Sequence, residues 1–316
     1  MGLRRDIIEW IDEGNLAAGD FSRAMRLAGI TPALADWRKF FDLLALWLGV
    51  IFLALGVIFF FAYNWDEMSR FSKFALVEIA MVISMLGVWR FDLDSMPGKA
   101  LLLFVALLVG AFLALVGQTY QTGADSFELF GAWAAMILPL VIVGCFAPLW
   151  LIWVALANLG IVLYFETFGG FFHVDEHLWL LFSFNSVILC LGELAWLRRL
   201  PWLRGRWSIR ILAVLPGAII TFLMLLNIFT NDEYSSSLGY IVWFGIFYFV
   251  YTKKIFDLFV LSGLSISLTI VLSALVLKLL SDSWIGSYLL ITFIVIGLSI
   301  AGSKWLKFLA AREKKQ

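Results

Sequence analysis

The chain has 316 residues, of which 63% are hydrophobic and 15% charged, and its 23 basic side chains balance 23 acidic ones. A soluble domain is about 45–50% apolar and about a quarter charged. This composition therefore excludes a water-soluble globule and indicates a chain that hides its apolar surface in a bilayer.

Residues 1–42 predict a small cytoplasmic head of amphipathic helices. Ile7, Ile8 and Ile11 recur at helical spacing in a helix over Leu3–Glu13 that stops at Gly14, and Ala17–Ala28 forms a second helix ended by Gly29. Thr31 and Pro32 offer an N-cap and a first-turn proline to a third helix that runs toward the membrane. So short a unit has little core of its own, so it packs on the membrane domain or on a partner protein. No cleavable signal peptide is visible in the charged first 42 residues, and the first apolar run is expected to direct insertion.

Ten runs then reach the roughly 17–25 residues that a spanning helix needs. They are Leu43–Tyr63, Phe74–Phe91, Ala100–Gly117, Leu129–Phe146, Leu149–Phe165, Leu178–Trp196, Ile209–Phe229, Ser235–Thr252, Phe256–Leu277 and Trp284–Gly302. Their continuous apolar character, without the period of two that a barrel strand shows, implies helices. The fold class expected is all-α: a polytopic helix bundle of about ten transmembrane helices over residues 43–302, followed by a basic cytoplasmic tail over 303–316. The fourth and fifth spans are joined only by Ala147–Pro148, and the eighth is short.

Cations are enriched in cytoplasmic loops. The ten-span arrangement leaves only Arg70, Lys73 and Lys278 of the 23 basic residues on the outer side, so both termini are expected in the cytoplasm. Ten acids, among them Asp66, Glu67, Asp125, Glu128, Asp175 and Glu176, fall outside, twelve fall inside, and Glu78 is placed within a span. The Arg198–Arg210 cluster reads as contact with anionic headgroups. As a short connection between spans it is no basic domain, so nucleic acid is excluded as a partner.

Inside the membrane, Ser262, Ser265, Thr269 and Ser273 share a face of the ninth span, where small residues allow close helix approach. Asn158, Asn185 and Asn227 are each expected to be satisfied by a hydrogen bond across a helix pair. Cys145 and Cys190 read as small apolar packing residues, with no disulfide framework.

Polar chemistry gathers on the outer side. Glu78 would sit about 6 Å into a helix beginning at Phe74, shallow enough to reach the interface or to pair with Arg70 or Lys73, and an intramembrane carboxylate is a functional-site candidate. Asn64, Trp65 and Asp66 end the first span as an anchor and turn. Between the third and fourth spans, Gly117–Trp133 brings Gln118, Tyr120, Gln121, Asp125, Glu128 and Trp133 to the same side, with Gly123 permitting the turn. Together with Glu78 these residues form the candidate outer-face site. His173-Val174-Asp175-Glu176-His177 matches the H-x-x-E-H pattern of inverted zinc peptidases, which makes His173, Glu176 and His177 a candidate metal set of a short outer loop. No other motif implies a cofactor.

Asn64-Trp65-Asp66, Gly117-Gln118-Thr119-Tyr120-Gln121-Thr122-Gly123-Ala124-Asp125 and Leu129-Phe130-Gly131-Ala132-Trp133 with Pro139 resemble the predicted membrane proteins called domain of unknown function 2157. The short helical head is also similar, and the resemblance covers about residues 1–150. It implies a bacterial inner-membrane location and brings no reaction, substrate or catalytic residue. Three functions then fit the chain. The first is permease-like handling of a small solute or lipid-derived molecule, with lipid bilayer and a small-molecule ligand as partners. The second is a non-catalytic scaffold or assembly partner for envelope proteins, and the third is a zinc metalloenzyme.

Overall fold

The computed structural model describes residues 2–63, 67–168, 174–203, 205–230, 234–280 and 286–313. Those residues form twelve α-helices, two short 3-10 turns and no strand. Nine of the helices are long and apolar enough to cross a membrane, so the chain is an all-α polytopic membrane protein. It divides into two compact units, Met1–Thr122 and Gly123–Gln316.

The first unit opens with α1 (Gly2–Asp12), a 3-10 turn at Ala18–Asp20 and α2 (Phe21–Leu27). Gly14 and Gly29 follow the two helices with φ of 75° and 67°, the left-handed region in which glycine carries no Cβ penalty. The third helix and the first span are one continuous rod, α3 (Leu34–Tyr63). Its start lies just beyond the expected Thr31-Pro32 cap, because the Ala33 N–H donates to Asp36 Oδ2 at 2.8 Å and closes the first turn from within. Phe52, Phe59 and Phe60 are exposed along it, as suits a helix wetted by lipid tails.

Next come α4 (Arg70–Phe91) and α5 (Met96–Tyr120), an antiparallel pair. Phe74 at the start of α4 meets Phe112 and Tyr120 near the end of α5, with ring centroids 5.7 and 5.9 Å apart. The turn between them is built by polar caps: Asp92 is left-handed at φ 70°, and Ser95 Oγ accepts from the Gly98 N–H at 3.0 Å. A Cβ on Gly98 would collide with the Asp92 carbonyl oxygen, so the turn requires glycine there.

In the second unit, α6 (Ser126–Gly144) and α7 (Ala147–Phe168) are two helices, joined through Cys145, which is left-handed at φ 42°. They pack antiparallel and close, with the Trp153 indole N–H donating to the Ala134 carbonyl and a Gly160 Cβ position 3.5 Å from the Gly131 nitrogen. Then follow α8 (Val174–Leu197), α9 (Trp207–Thr230), α10 (Tyr234–Lys253), α11 (Leu258–Leu280) and α12 (Gly286–Glu313). Asn158 on α7 and Asn185 on α8 exchange amide hydrogen bonds of 2.6 and 3.1 Å, and Ser237 of α10 donates to Asn227 of α9 at 3.3 Å. Each of the three asparagines thus finds its partner on a neighbouring helix.

The eighth expected span is the exception to the hydropathy rule. At 20 residues α10 is long enough, but its serines, tyrosines and glycines dilute it, and it is not among the nine. Its neighbours nevertheless fix its path. Arg210 meets Asp257 where α9 and α11 begin, and Thr221 meets Ser267 about three turns further along both, so α9 and α11 run parallel. The chain between two parallel helices must come back the full distance, and α10 does so. Tyr251 near its end reaches Glu193 at the first level, while Tyr240 near its start reaches Ser267 at the second.

Candidate functional site

The densest chemistry in the described residues lies where α8 ends, α9 begins, α10 ends and α11 begins. Glu193, on the last turns of α8, is 8% exposed and accepts from Arg206 Nη2 at 2.8 Å, Arg206 Nη1 at 3.1 Å and the Tyr251 hydroxyl at 2.8 Å. Arg206 turns its Nε to Asp257 Oδ2 at 2.7 Å and lays its guanidinium over the Trp196 ring at 4.4 Å. Asp257 in turn caps α11, accepting from the Phe259 N–H at 2.9 Å, and receives Arg210 Nε at 3.0 Å. Two carboxylates and two guanidiniums therefore share one knot, and the Asp257 side chain within it has no exposed surface.

Burial pushes the Asp257 carboxyl up, but the hydrogen bonds from Arg206, Arg210 and the Phe259 N–H outweigh it and hold its pKa below the ordinary carboxylate value. Burial likewise pulls the Arg206 guanidinium down, and its hydrogen bonds to Glu193 and Asp257 win and raise it. Within the knot, Arg206 and Asp257 thus each stabilise the charged form of the other. Arg206 faces inward, with a side chain only 12% exposed, rather than outward to headgroups. Arg210 differs from it: its side chain is 43% exposed, its Nε is held by Asp257, and it lies 6.0 Å from the Phe259 ring centroid.

Above this knot is a hydroxyl relay. Thr221 donates to the Gly217 carbonyl at 2.6 Å, so its oxygen can only accept at its 2.7 Å contact with Ser267. Ser267 has then used its proton, and the 3.0 Å contact with Tyr240 is a donation from the tyrosine. All three hydroxyl protons are consumed inside the protein, although Thr221 and Ser267 line a cavity.

That cavity, of about 500 Å³, is a groove between α9 and α11 with its floor on α10. Ala213, Gly217, Ala218 and Gly263 leave the space, Trp243 and Phe247 form the floor, and Phe259, Phe222, Ile266 and Ile270 form the walls. The walls are 47%, 49%, 61% and 42% exposed, so the groove opens on the outer surface of the helices and not into a closed core. The buried Trp243 Nε1 has no hydrogen-bond partner among the described residues.

The residues expected at the outer face are, where described, on α4, α5, α6 and α8 and in the segment between α5 and α6. Asn64, Trp65, Asp66 and His173 lie outside the described residues. Glu78 is exposed on α4, and because that helix starts at Arg70 the carboxylate is about 12 Å along it, deeper than a start at Phe74 would give. Gln118 and Tyr120 are exposed on the last turn of α5, and Gln121 caps that helix in the left-handed region at φ 46°, its N–H donating to the Gly117 carbonyl. Gly123 makes the turn with φ 66°, Asp125 takes the N-cap position of α6 and Glu128 is exposed in its first turn. Trp133 is half-buried and stacks on Phe130. The set is divided between the two units after Thr122. Glu176 is exposed and His177 rests on the Phe165 ring at 5.2 Å, and no group of three or more metal-ligating side chains occurs among the described residues.

Glu193, Arg206, Asp257 and Ser267 are the residues that sequence reading passed over. Glu193 and Asp257 sit inside the ends of the runs Leu178–Trp196 and Phe256–Leu277, and Arg210 inside Ile209–Phe229. Opposite charges at matching ends of neighbouring runs were the available signal. Ser267 lies off the Ser262, Ser265, Thr269 stripe; of that stripe, Ser265 packs against Gly302 of α12, as small residues at a helix contact do.

Residues 8–150 match the family model described as predicted membrane protein (DUF2157). The match takes in α2 to α6 and ends at the start of α7, so the knot and the groove lie beyond it. No curated protein and no solved structure matches the chain.

Proposed function

We propose, for a chain whose residues 8–150 belong to this predicted membrane protein family, that it is a permease-like protein of a bacterial inner membrane that handles a lipid-derived molecule. The observation that carries this reading is the groove between α9 and α11. Small-molecule sites are mostly apolar clefts of about 300–1,000 Å³, and this one falls in that range. Its hydroxyls are already spent on one another, so it offers an apolar chain a fit that it does not offer a polar solute. Its exposed walls let such a molecule enter sideways from the bilayer.

A ten-crossing chain has both termini on one side, and the cation count supports the cytoplasm as that side. The cation count then makes the end of the second unit that holds the charged knot its cytoplasmic end. On the opposite face, Asp125 and Glu128 at the start of α6 are polar groups that a released or incoming headgroup would meet.

The test is movement of a fluorescent lipid between leaflets of vesicles that carry the full chain, read by chemical quenching of the outer leaflet. Gly263→Leu is the informative variant, because Gly263 lines the groove and a Cβ there meets nothing within 4 Å, so the added side chain starts in open space. Movement above that of protein-free vesicles, lost in Gly263→Leu, is the expected result. Equal rates with and without protein would sink the proposal.

A further inference from the structure

The groove has a length and a charged end, and together these specify what fits it. Its α11 wall runs from Phe259 to Ile270 and its α9 wall from Ala213 to Leu225, about 16–18 Å at 1.5 Å per residue. The hydrocarbon core is about 30 Å thick, so this is close to one leaflet. The groove begins at the helix ends that hold the charged knot and stops near the level of the Thr221–Ser267 contact and one turn beyond. It therefore has the reach of a single acyl chain descending from the interface toward the midplane.

A cation stands where that chain would meet its headgroup. Phe259 is both a wall of the groove and the ring beside the Arg210 guanidinium. Asp257 holds Arg210 through Nε alone, and the two Nη groups make no hydrogen bond to the described residues. The Asp257 charge is shared with Arg206, and Glu193 is fully engaged by Arg206 and Tyr251, so neither carboxylate is left to repel an anion at this edge. Lys253 and Lys254 lie at the end of α10 on the same level and add to the positive field.

We propose that the groove is a binding site for an anionic phospholipid of the adjoining leaflet, one acyl chain lying between α9 and α11 and the phosphate accepting from the Nη groups of Arg210. Trp243 and Phe247 receive the chain from below, while Phe259 separates it from the guanidinium. The assignment deepens the permease-like reading by naming the class of molecule at that same groove. Occupancy and movement are measured separately, so a lipid that binds without crossing would end the transport reading and leave this one standing.

The test uses the full chain in phosphatidylcholine vesicles doped with phosphatidylglycerol that carries a photoactivatable diazirine on one acyl chain. Adducts are mapped by mass spectrometry, and a phosphatidylcholine probe with the same chain is the comparison. Adducts on residues 213–225 and 259–270 are expected, about fivefold more from the anionic probe, as one basic group near a headgroup supplies. Arg210→Gln should bring the two probes to parity, Arg210→Lys should keep the preference, and Gly263→Leu should remove the adducts from both. Inorganic phosphate should fail to compete, which separates a lipid from a free anion. Equal labelling by the two probes in the unaltered protein, labelling that survives Gly263→Leu, or crosslinks between two copies at this face in place of lipid would each overturn the assignment. The Gly263→Leu arm stands by itself if Arg210→Gln fails to fold.

Discussion

Asp257 has every acceptor site near it in use: two arginines and a backbone N–H converge on a carboxylate with no solvent contact. Removing it leaves Arg206 with one of its two anionic partners and uncaps α11. Breaking a buried pair in this way costs about 3–5 kcal/mol, so Asp257→Ala should lower the midpoint of thermal unfolding in detergent far more than Cys190→Ala, an exposed site. The pH dependence has a definite sign. Because the folded carboxyl is held below its ordinary value, its stabilisation is complete above the unfolded value near pH 4 and is lost as pH falls through the lower folded value. Unfolding temperature recorded from pH 6 to pH 2 should drop at the acid end in the unaltered protein, and the drop should shrink in Asp257→Asn. For the Asn158–Asn185 pair, a double-mutant cycle with alanine should give a coupling of about 0.6–1.7 kcal/mol, the range of hydrogen bonds between membrane helices.

Among the elements, the α4–α5 turn is the one most dependent on a single atom. Gly98→Ala places a methyl group against the Asp92 carbonyl, which is backbone and cannot rotate away, so the variant should expose the turn to protease in membrane vesicles while Gly87→Ala does not. At Gly87 the opposing atom is the tip of the Leu101 side chain, which can move. Helix existence was legible because a bilayer demands long apolar runs, as was a break between the fourth and fifth spans, which falls at Cys145–Phe146, two residues before the expected Ala147–Pro148, because Cys145 takes the left-handed conformation that ends α6. The fusion of the head's last helix to the first span was not legible, since the Asp36 cap that starts α3 acts three residues downstream of where a cap is sought. The groove was hidden for a related reason. Gly217 and Gly263 look like packing glycines, and only the lateral position of α10 shows that one faces Trp243 and the other faces open space.

For the whole molecule, the decisive quantity is the parity of crossings. Nine spans would put the termini on opposite sides, and the nine hydropathic helices alone point that way. The proposed ten-span topology, which the parallel run of α9 and α11 supports, predicts that single cysteines introduced at Ser22 and Ser303 are both labelled only from the cytoplasmic side. Labelling from opposite sides would restore the nine-span count. The charge asymmetry between the ends of the apolar runs was plain in the sequence, whereas the way Glu193, Arg206, Arg210 and Asp257 cancel one another was not. It depends on which helix ends become neighbours, and no local pattern states that.

The middle position of α10 bears on how the chain is made. A helix with Ser235, Ser236, Ser237, Tyr240, Tyr248 and Tyr251 has a weak claim on the translocon's lateral exit when it is synthesised as a lone segment. Yet Tyr240 and Tyr251 are satisfied by Ser267 of a helix that emerges later and Glu193 of one that emerged earlier. Membrane entry of α10 should therefore be a joint event, awaiting α11, and glycosylation-tag insertion assays should find it poorly inserted when the chain is truncated at Lys254 and well inserted once residues to 280 are present.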